Sequence, residues 1–147
     1  MPGIRVVTDS ACDLAGPLAA DHAITVVPLT IRFGDEELLD RRDLSPEEFW
    51  RRCKASASLP ETAAPSPGAF GEAFRSAADE GASGVLCLTL SSGVSATYQS
   101  ALAGAESVKG QIPVAVVDTR SLTMGQGLMC LAAAEAAADG ATLEQLV

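Results

Sequence analysis

The chain has 147 residues, 48% of them apolar, much of that alanine, and only 4% aromatic, a length and composition suited to one domain with a close-packed core of Ala, Val and Leu. Its formal charge is −9 and its ten Lys and Arg are spread along the chain, without the basic patch of a nucleic-acid binder, so no nucleic-acid partner is expected. The longest apolar stretch, residues 128–134, is broken by Glu135 and is too short to span a bilayer, so no stable membrane insertion is expected.

Residues 4–8 are a β-branched run ending in the turn signal Asp9-Ser10. Asp13 is read as the N-cap of a short helix over residues 14–21. Residues 24–33, rich in Ile, Val and Thr, read as one long strand turned by Gly34-Asp35-Glu36. Ser45-Pro46-Glu47-Glu48 opens a helix, with Ser45 as cap, Pro46 at the first helical position and Glu48 completing a capping box. Residues 55–65 hold two prolines and no periodicity, and read as a loop. Ser66-Pro67 repeats the cap-and-proline start, and Phe70, Phe74 and Ala77 follow at helical spacing. A buried strand is predicted over residues 84–90, a helix over 96–108, a strand over 114–117, and an Ala-rich helix over 123–139 closed by Gly140.

Strands alternating with helices predict an α/β fold: a mostly parallel sheet with helices on both faces, in three layers. Ligands of such sheets sit beyond the carboxyl ends of the strands, so the Ser- and Thr-rich loops starting at Thr8, Leu90 and Asp118 should converge on one crevice. Thr142-Leu143-Glu144-Gln145 is a further capping box and announces a helix that Val147 cuts after about one turn, too short to stand alone. The expectation is a single domain over residues 1–147, truncated inside that helix. Residues 1–4 lead straight into a strand, without a secretory signal, so the expected location is cytoplasmic. The four cysteines, 12, 53, 87 and 130, form no CxxC pair and none neighbours His22, the single histidine; they are read as reduced, with no metal site.

The sharpest local feature is the Ser91-Ser92-Gly93-Val94-Ser95 turn between a buried strand and a helix. Free N–H groups at a helix start, joined by hydroxyls, suit a carboxylate or phosphate; a serine that simply caps the helix is the other reading. Gly93-Val94-Ser95-Ala96-Thr97 misses GxSxG at its last position, and only His22 is on hand as a base, so a serine hydrolase is not expected. Gly125-Gln126-Gly127 starts a dinucleotide fingerprint but has Cys130 where a third glycine belongs. Close packing explains those glycines better, and no cofactor is expected. Asp9 and Asp118 each end a strand and read as turn caps.

Four segments carry a further pattern: residues 7–14 around Thr8-Asp9-Ser10, 59–70 around Thr62-Ala63-Ala64-Pro65, 90–101 around the Ser91–Ser95 turn, and 117–127 around Gly125-Gln126-Gly127. In order and spacing they resemble the DegV family, and the resemblance covers nearly the whole chain but only the N-terminal half of a family member. It implies a protein that binds one long-chain fatty acid between or within two domains. It also implies a partner, a separate fatty acid kinase subunit that phosphorylates the presented carboxylate with ATP, so the chain itself is expected to be no enzyme. By the same resemblance Thr62 and Ser95 hold the carboxylate; Ser10, Ser91, Ser92 and Gly93 are expected to support the anion site and pocket. Thr62-Ala63-Ala64-Pro65 departs from the family's Thr-Ser-Gln-Pro, and His22 does not match the histidine that the family's second half supplies together with an arginine. The readings that remain beside it are an interaction module without ligand and a small phosphate-ligand enzyme using the Ser91–Ser95 turn.

Overall fold

The computed structural model describes residues 3–147. In chain order the elements are β1 (Ile4–Asp9), a 3-10 turn (Ser10–Cys12), α1 (Gly16–Asp21), β2 (Thr25–Val27), β3 (Thr30–Phe33), β4 (Glu36–Leu39), α2 (Pro46–Ala55) and β5 (Glu61–Ala63). They continue with α3 (Pro67–Asp79), β6 (Gly84–Thr89), α4 (Thr97–Glu106), β7 (Val114–Asp118), α5 (Thr123–Ala138) and α6 (Leu143–Leu146).

Alternation along the strands builds the three layers. Val7, Val85 and Cys87 point to one face and pack with Phe70, Phe74 and Ala77 of α3, Ala101 of α4, and Val108. Their neighbours Val6, Leu86 and Leu88 point to the other and pack with Cys12, Leu14, Ala19 of α1, and Cys130 and Ala134 of α5. A strand covered on both faces reads as a continuous apolar run, and β6 is buried at every residue. The sheet is parallel, in the order β2-β1-β6-β7. From β1 the chain goes first to β2 on one side and later to β6 on the other. The point where the direction reverses leaves a crevice beyond the carboxyl ends of β1 and β6.

A second sheet, antiparallel and in the order β4-β3-β5, was not legible in the sequence. The expected strand over 24–33 is two strands in two sheets. Pro28 offers no N–H to a ladder, and the Leu29 N–H donates to Ser10 Oγ at 3.0 Å instead. Glu36 and Glu37 have low β-propensity, yet β4 pairs with β3, helped by Arg32 Nη2 donating to Glu37 Oε1 at 2.6 Å. The expected loop over 55–65 contains β5, whose Thr62 pairs with Ile31.

Two caps differ from expectation. Asp13 closes the 3-10 turn in the left-handed conformation, at φ 55°, and its carboxylate pairs with Arg41 at 2.9 Å. The start of α1 then falls to Pro17 in its first turn, with no side-chain cap. Ser45 Oγ accepts the Glu48 N–H as expected, but the Glu48 carboxylate turns away to Arg51 and Arg52, so only half of that capping box forms. The Thr142–Gln145 box forms in both directions.

Ser66 Oγ accepts the Ala69 N–H at 3.1 Å and starts α3, the helix that carries the fully buried Phe70 and Phe74. Ser66→Ala is expected to cost about 1 kcal/mol, read as a lower urea midpoint with an unchanged slope. An unchanged midpoint would mean that water replaces the cap at no cost.

Candidate functional site

At the carboxyl edge of the parallel sheet, three loops are laced together by side chains that end strands. Asp9, with no exposed surface, accepts the Ala11 N–H on Oδ1 at 3.0 Å and the buried Leu90 N–H on Oδ2 at 2.8 Å. It thereby ties the turn after β1 to the loop after β6. Burial pushes its carboxyl above the usual carboxylate range, against the hydrogen bonds it accepts. Thr8 Oγ1 donates to Leu88 O at 2.7 Å and accepts from Gln126 Nε2 at 2.9 Å. Gln126, from the first turn of α5, is fully buried, and its Oε1 finds no partner among the described residues. The sequence reading missed this residue as a polar core member, because it lay inside an incomplete glycine motif.

The third loop answers the second. Asp118 accepts the Ser92 N–H at 3.1 Å, the Ser92 hydroxyl at 2.5 Å and the Arg120 N–H at 3.0 Å. The Ser92 hydroxyl, and next the Arg120 N–H, hold the carboxyl of the half-buried Asp118 below its usual range. Thr119 donates both its N–H and its hydroxyl to Thr89 O, and the Ser91 N–H donates to Ser121 O at 2.8 Å. The three loops therefore converge as the strand order predicts.

Each expected site residue has a defined place. Ser91 Oγ accepts the Gly93 N–H at 3.2 Å, and the Ser92 hydroxyl is spent on Asp118. Ser95 is half-buried; its Oγ accepts the Thr97 N–H at 3.2 Å and lies 2.8 Å from Thr97 Oγ1 at the start of α4. Ser10 is buried, and its oxygen holds Leu29. Thr62 is exposed on β5, in the other sheet. The structure thus groups Ser91, Ser92, Gly93 and Ser95 on one loop, sets Ser10 beneath the crevice, and places Thr62 on a separate strand. His22 precedes β2 and lines a hollow with Gly3, Ile4 and Arg5 at the amino ends of the strands. It lies at the opposite edge of the sheet from Ser95, which removes the base a serine nucleophile would need.

Cys12 and Cys130 are buried, and that burial pushes their thiols up to about 11 and about 12. Burial pushes Cys87 up as well. Thiols so placed stay protonated and unreactive.

Apolar side chains flank the same edge. Val94, Leu122, Met124, Leu128 and Met129 are all exposed, although α5 is apolar on every side, the pattern of a helix buried all round. Its covered side lies against the turn after β1, where a Cβ on Gly127 would stand 2.6 Å from Cys12 O. No helix among the described residues is long and apolar enough to cross a membrane.

The family model described as "Uncharacterised protein, DegV family" matches residues 3–147. A DegV domain-containing protein of Clostridium perfringens is 35% identical over 146 residues, 99% of this chain and 52% of the relative. One from Streptomyces coelicolor is 35% identical over 144 residues, 98% of this chain and 50% of the relative. The chain spans about half the length of the curated relatives it matches. Among solved structures, a DegV family protein from Thermus thermophilus, described for its fatty acid binding, superposes with a TM-score of 0.88 at 35% identity, over 98% of this chain and 50% of that one. DegV of Bacillus subtilis, described as a fatty acid binding protein, gives a TM-score of 0.93 at 28% identity, over 99% and 51%.

Proposed function

This chain belongs to the DegV family, and on that premise we propose that it forms the head-group side of a long-chain fatty-acid site and presents the carboxylate to a separate kinase subunit. The observation that carries the reading is the laced carboxyl edge of the sheet, with the half-buried Ser95 hydroxyl on its rim, in a fold shared with solved proteins described as fatty acid binding. Ser95 and Thr62 hydroxyls donate to the carboxylate, and the exposed Val94, Leu122, Met124 and Leu128 supply this chain's wall for the acyl tail. Ser10 and the Ser91–Gly93 turn hold the crevice in shape. The tail supplies most of the affinity, at about 0.8 kcal/mol per buried CH₂. The hydroxyls fix which end faces out, because a carboxylate taken from water needs hydrogen bonds. In this reading the bound carboxylate's own oxygen is the nucleophile, and the phosphoryl group reaches it from the kinase partner.

The test is native mass spectrometry of the purified chain, followed by affinities for a fatty acid and for its methyl ester. A bound mass matching a long-chain fatty acid, released on denaturation, is expected. Each hydrogen bond to a carboxylate is worth about 1.5–3 kcal/mol, so Thr62→Val and Ser95→Ala should each weaken the acid about tenfold or more and leave the ester alone. Variants that bind the acid as tightly as the parent would remove these two hydroxyls from the site.

A further inference from the structure

Ser95 does more than cap α4. A cap needs only an acceptor, and Ser95 Oγ serves one backbone group in that way, the Thr97 N–H at 3.2 Å, while Ala96 at the N-cap position makes no side-chain cap. The same oxygen has a second neighbour that capping does not use. Thr97 Oγ1 lies 2.8 Å away, on a residue with no exposed surface. Distance alone leaves either hydroxyl as the donor, but the surroundings decide between them. Thr97 Oγ1 has no other hydrogen-bond partner among the described residues. Were Ser95 to donate, the Thr97 proton would be buried without an acceptor, which is costly. With Thr97 as donor both hydroxyls are satisfied on the buried side. The Ser95 proton is then left for the open side of a half-buried residue.

We infer that Thr97 is a positioning residue for the ligand's head: its hydroxyl makes Ser95 a donor only, set for a head group that accepts. The inference rests on the fatty-acid reading and deepens it. A hydroxyl has one proton and two lone pairs. Both lone pairs of Ser95 Oγ are filled from Thr97, one by the N–H and one by the hydroxyl. With two of the three staggered directions about the Cβ–Oγ bond taken, the proton occupies the third. A hydroxyl that accepts also donates more strongly, because hydrogen bonds in a chain polarise one another. Thr97 therefore orients and strengthens the Ser95 donor before any ligand arrives. A carboxylate oxygen, which only accepts, is the head group that such a donor suits. Thr97 touches no ligand in this arrangement and acts through Ser95 alone.

The experiment measures affinities for palmitic acid and methyl palmitate in the parent chain, in Thr97→Val, Thr97→Ser and Ser95→Ala, and in Ser95→Ala combined with Thr97→Val. Valine keeps the branched shape of threonine and removes its hydroxyl. The Ser95 proton then gains a second open direction and loses the polarisation, so Thr97→Val should bind palmitic acid about threefold or more weakly. Methyl palmitate should bind unchanged, and Thr97→Ser should match the parent. In the Ser95→Ala background the same Thr97→Val change should have no effect on either ligand. Palmitic acid binding unaltered by Thr97→Val overturns the inference and leaves the fatty-acid reading standing. So does an equal loss for acid and ester, or a loss that persists without the Ser95 hydroxyl, since each marks a disturbed start of α4 instead of a misdirected donor. Full palmitic acid affinity in Ser95→Ala removes Ser95 from the site and the inference with it. A parent chain that takes up neither ligand overturns the fatty-acid reading as well.

Discussion

Asp9→Ala is expected to cost more stability than removal of any helix cap in this chain. Two backbone N–H groups depend on the Asp9 carboxylate, and the one at Leu90 is buried. Leaving a buried donor unpaired costs about 1–3 kcal/mol, against a total for such a domain of about 5–15 kcal/mol. The loss should appear as a sharply lower urea midpoint, together with faster amide exchange at Leu90. Asp9→Asn isolates the charge. Burial raises the folded-state pKa of Asp9, so the folded chain holds that proton to higher pH than the unfolded chain does. The contribution from this titration is fully present below the ordinary carboxylate range and is lost as pH rises through the raised pKa. Asparagine has no proton to lose. The stability difference between parent and Asp9→Asn should therefore shrink, in the parent's disfavour, as pH climbs through that window. A difference that stays constant with pH would show that Asp9 does not titrate there.

Gly127→Ala carries the second large effect. Its methyl would sit 2.6 Å from Cys12 O and 3.2 Å from Leu14 Cδ2. The first obstacle is backbone, whose peptide is held by the Asp13 N–H donating to Ser10 O at 3.4 Å, so it cannot rotate away as a side chain would. Overpacking of this kind costs about 1–3 kcal/mol. The strain should also push the turn after β1 off α5 and disturb the crevice. Gly104→Ala is the control. Its Cβ would meet Phe70 Cβ at 2.7 Å and Pro67 O at 2.9 Å, an equal offence where α3 crosses α4, away from the three loops. Both variants should melt early, but at a temperature where both are folded only Gly127→Ala should lose fatty-acid affinity. Equal binding losses would mean that lipid uptake reports overall stability and nothing local.

How far the sequence could be read follows from where the physics is local. Strands β1, β6 and β7 were legible as short apolar runs and helix α3 because burial on one face writes a 3.6-residue period into the chain, while α5 was legible from its run of alanines, strong helix formers, closed by Gly140. Ser66-Pro67 and Thr142–Gln145 were legible because a cap is complete within four residues. The second sheet was not. Its middle strand looks like a continuation of β2, and the break shows only once Ser10, 19 residues away, takes the Leu29 N–H. Asp13 misled for a similar reason: its carboxylate answers to Arg41, 28 residues on. At the crevice, residue types and the strand-end carboxylates were readable, whereas the partners of Asp9, Ser92 and Gln126 lie 26 to 118 residues away and leave no spacing to read.

The break at Pro28-Leu29 divides the proposed head-group contacts between two bodies, Ser95 on the parallel sheet and Thr62 on the antiparallel one. Ile31, the residue opposite Thr62, is two residues beyond Leu29, a lever of about 7 Å at roughly 3.3 Å per residue. Turning the small sheet by about 10° about that joint would shift Thr62 by about 1 Å, much of the span over which a hydrogen bond survives. The Ser10 hydroxyl under Leu29 is in this sense a set-screw on the caliper. Core substitutions near Ser10 should alter discrimination between acid and ester without touching either jaw.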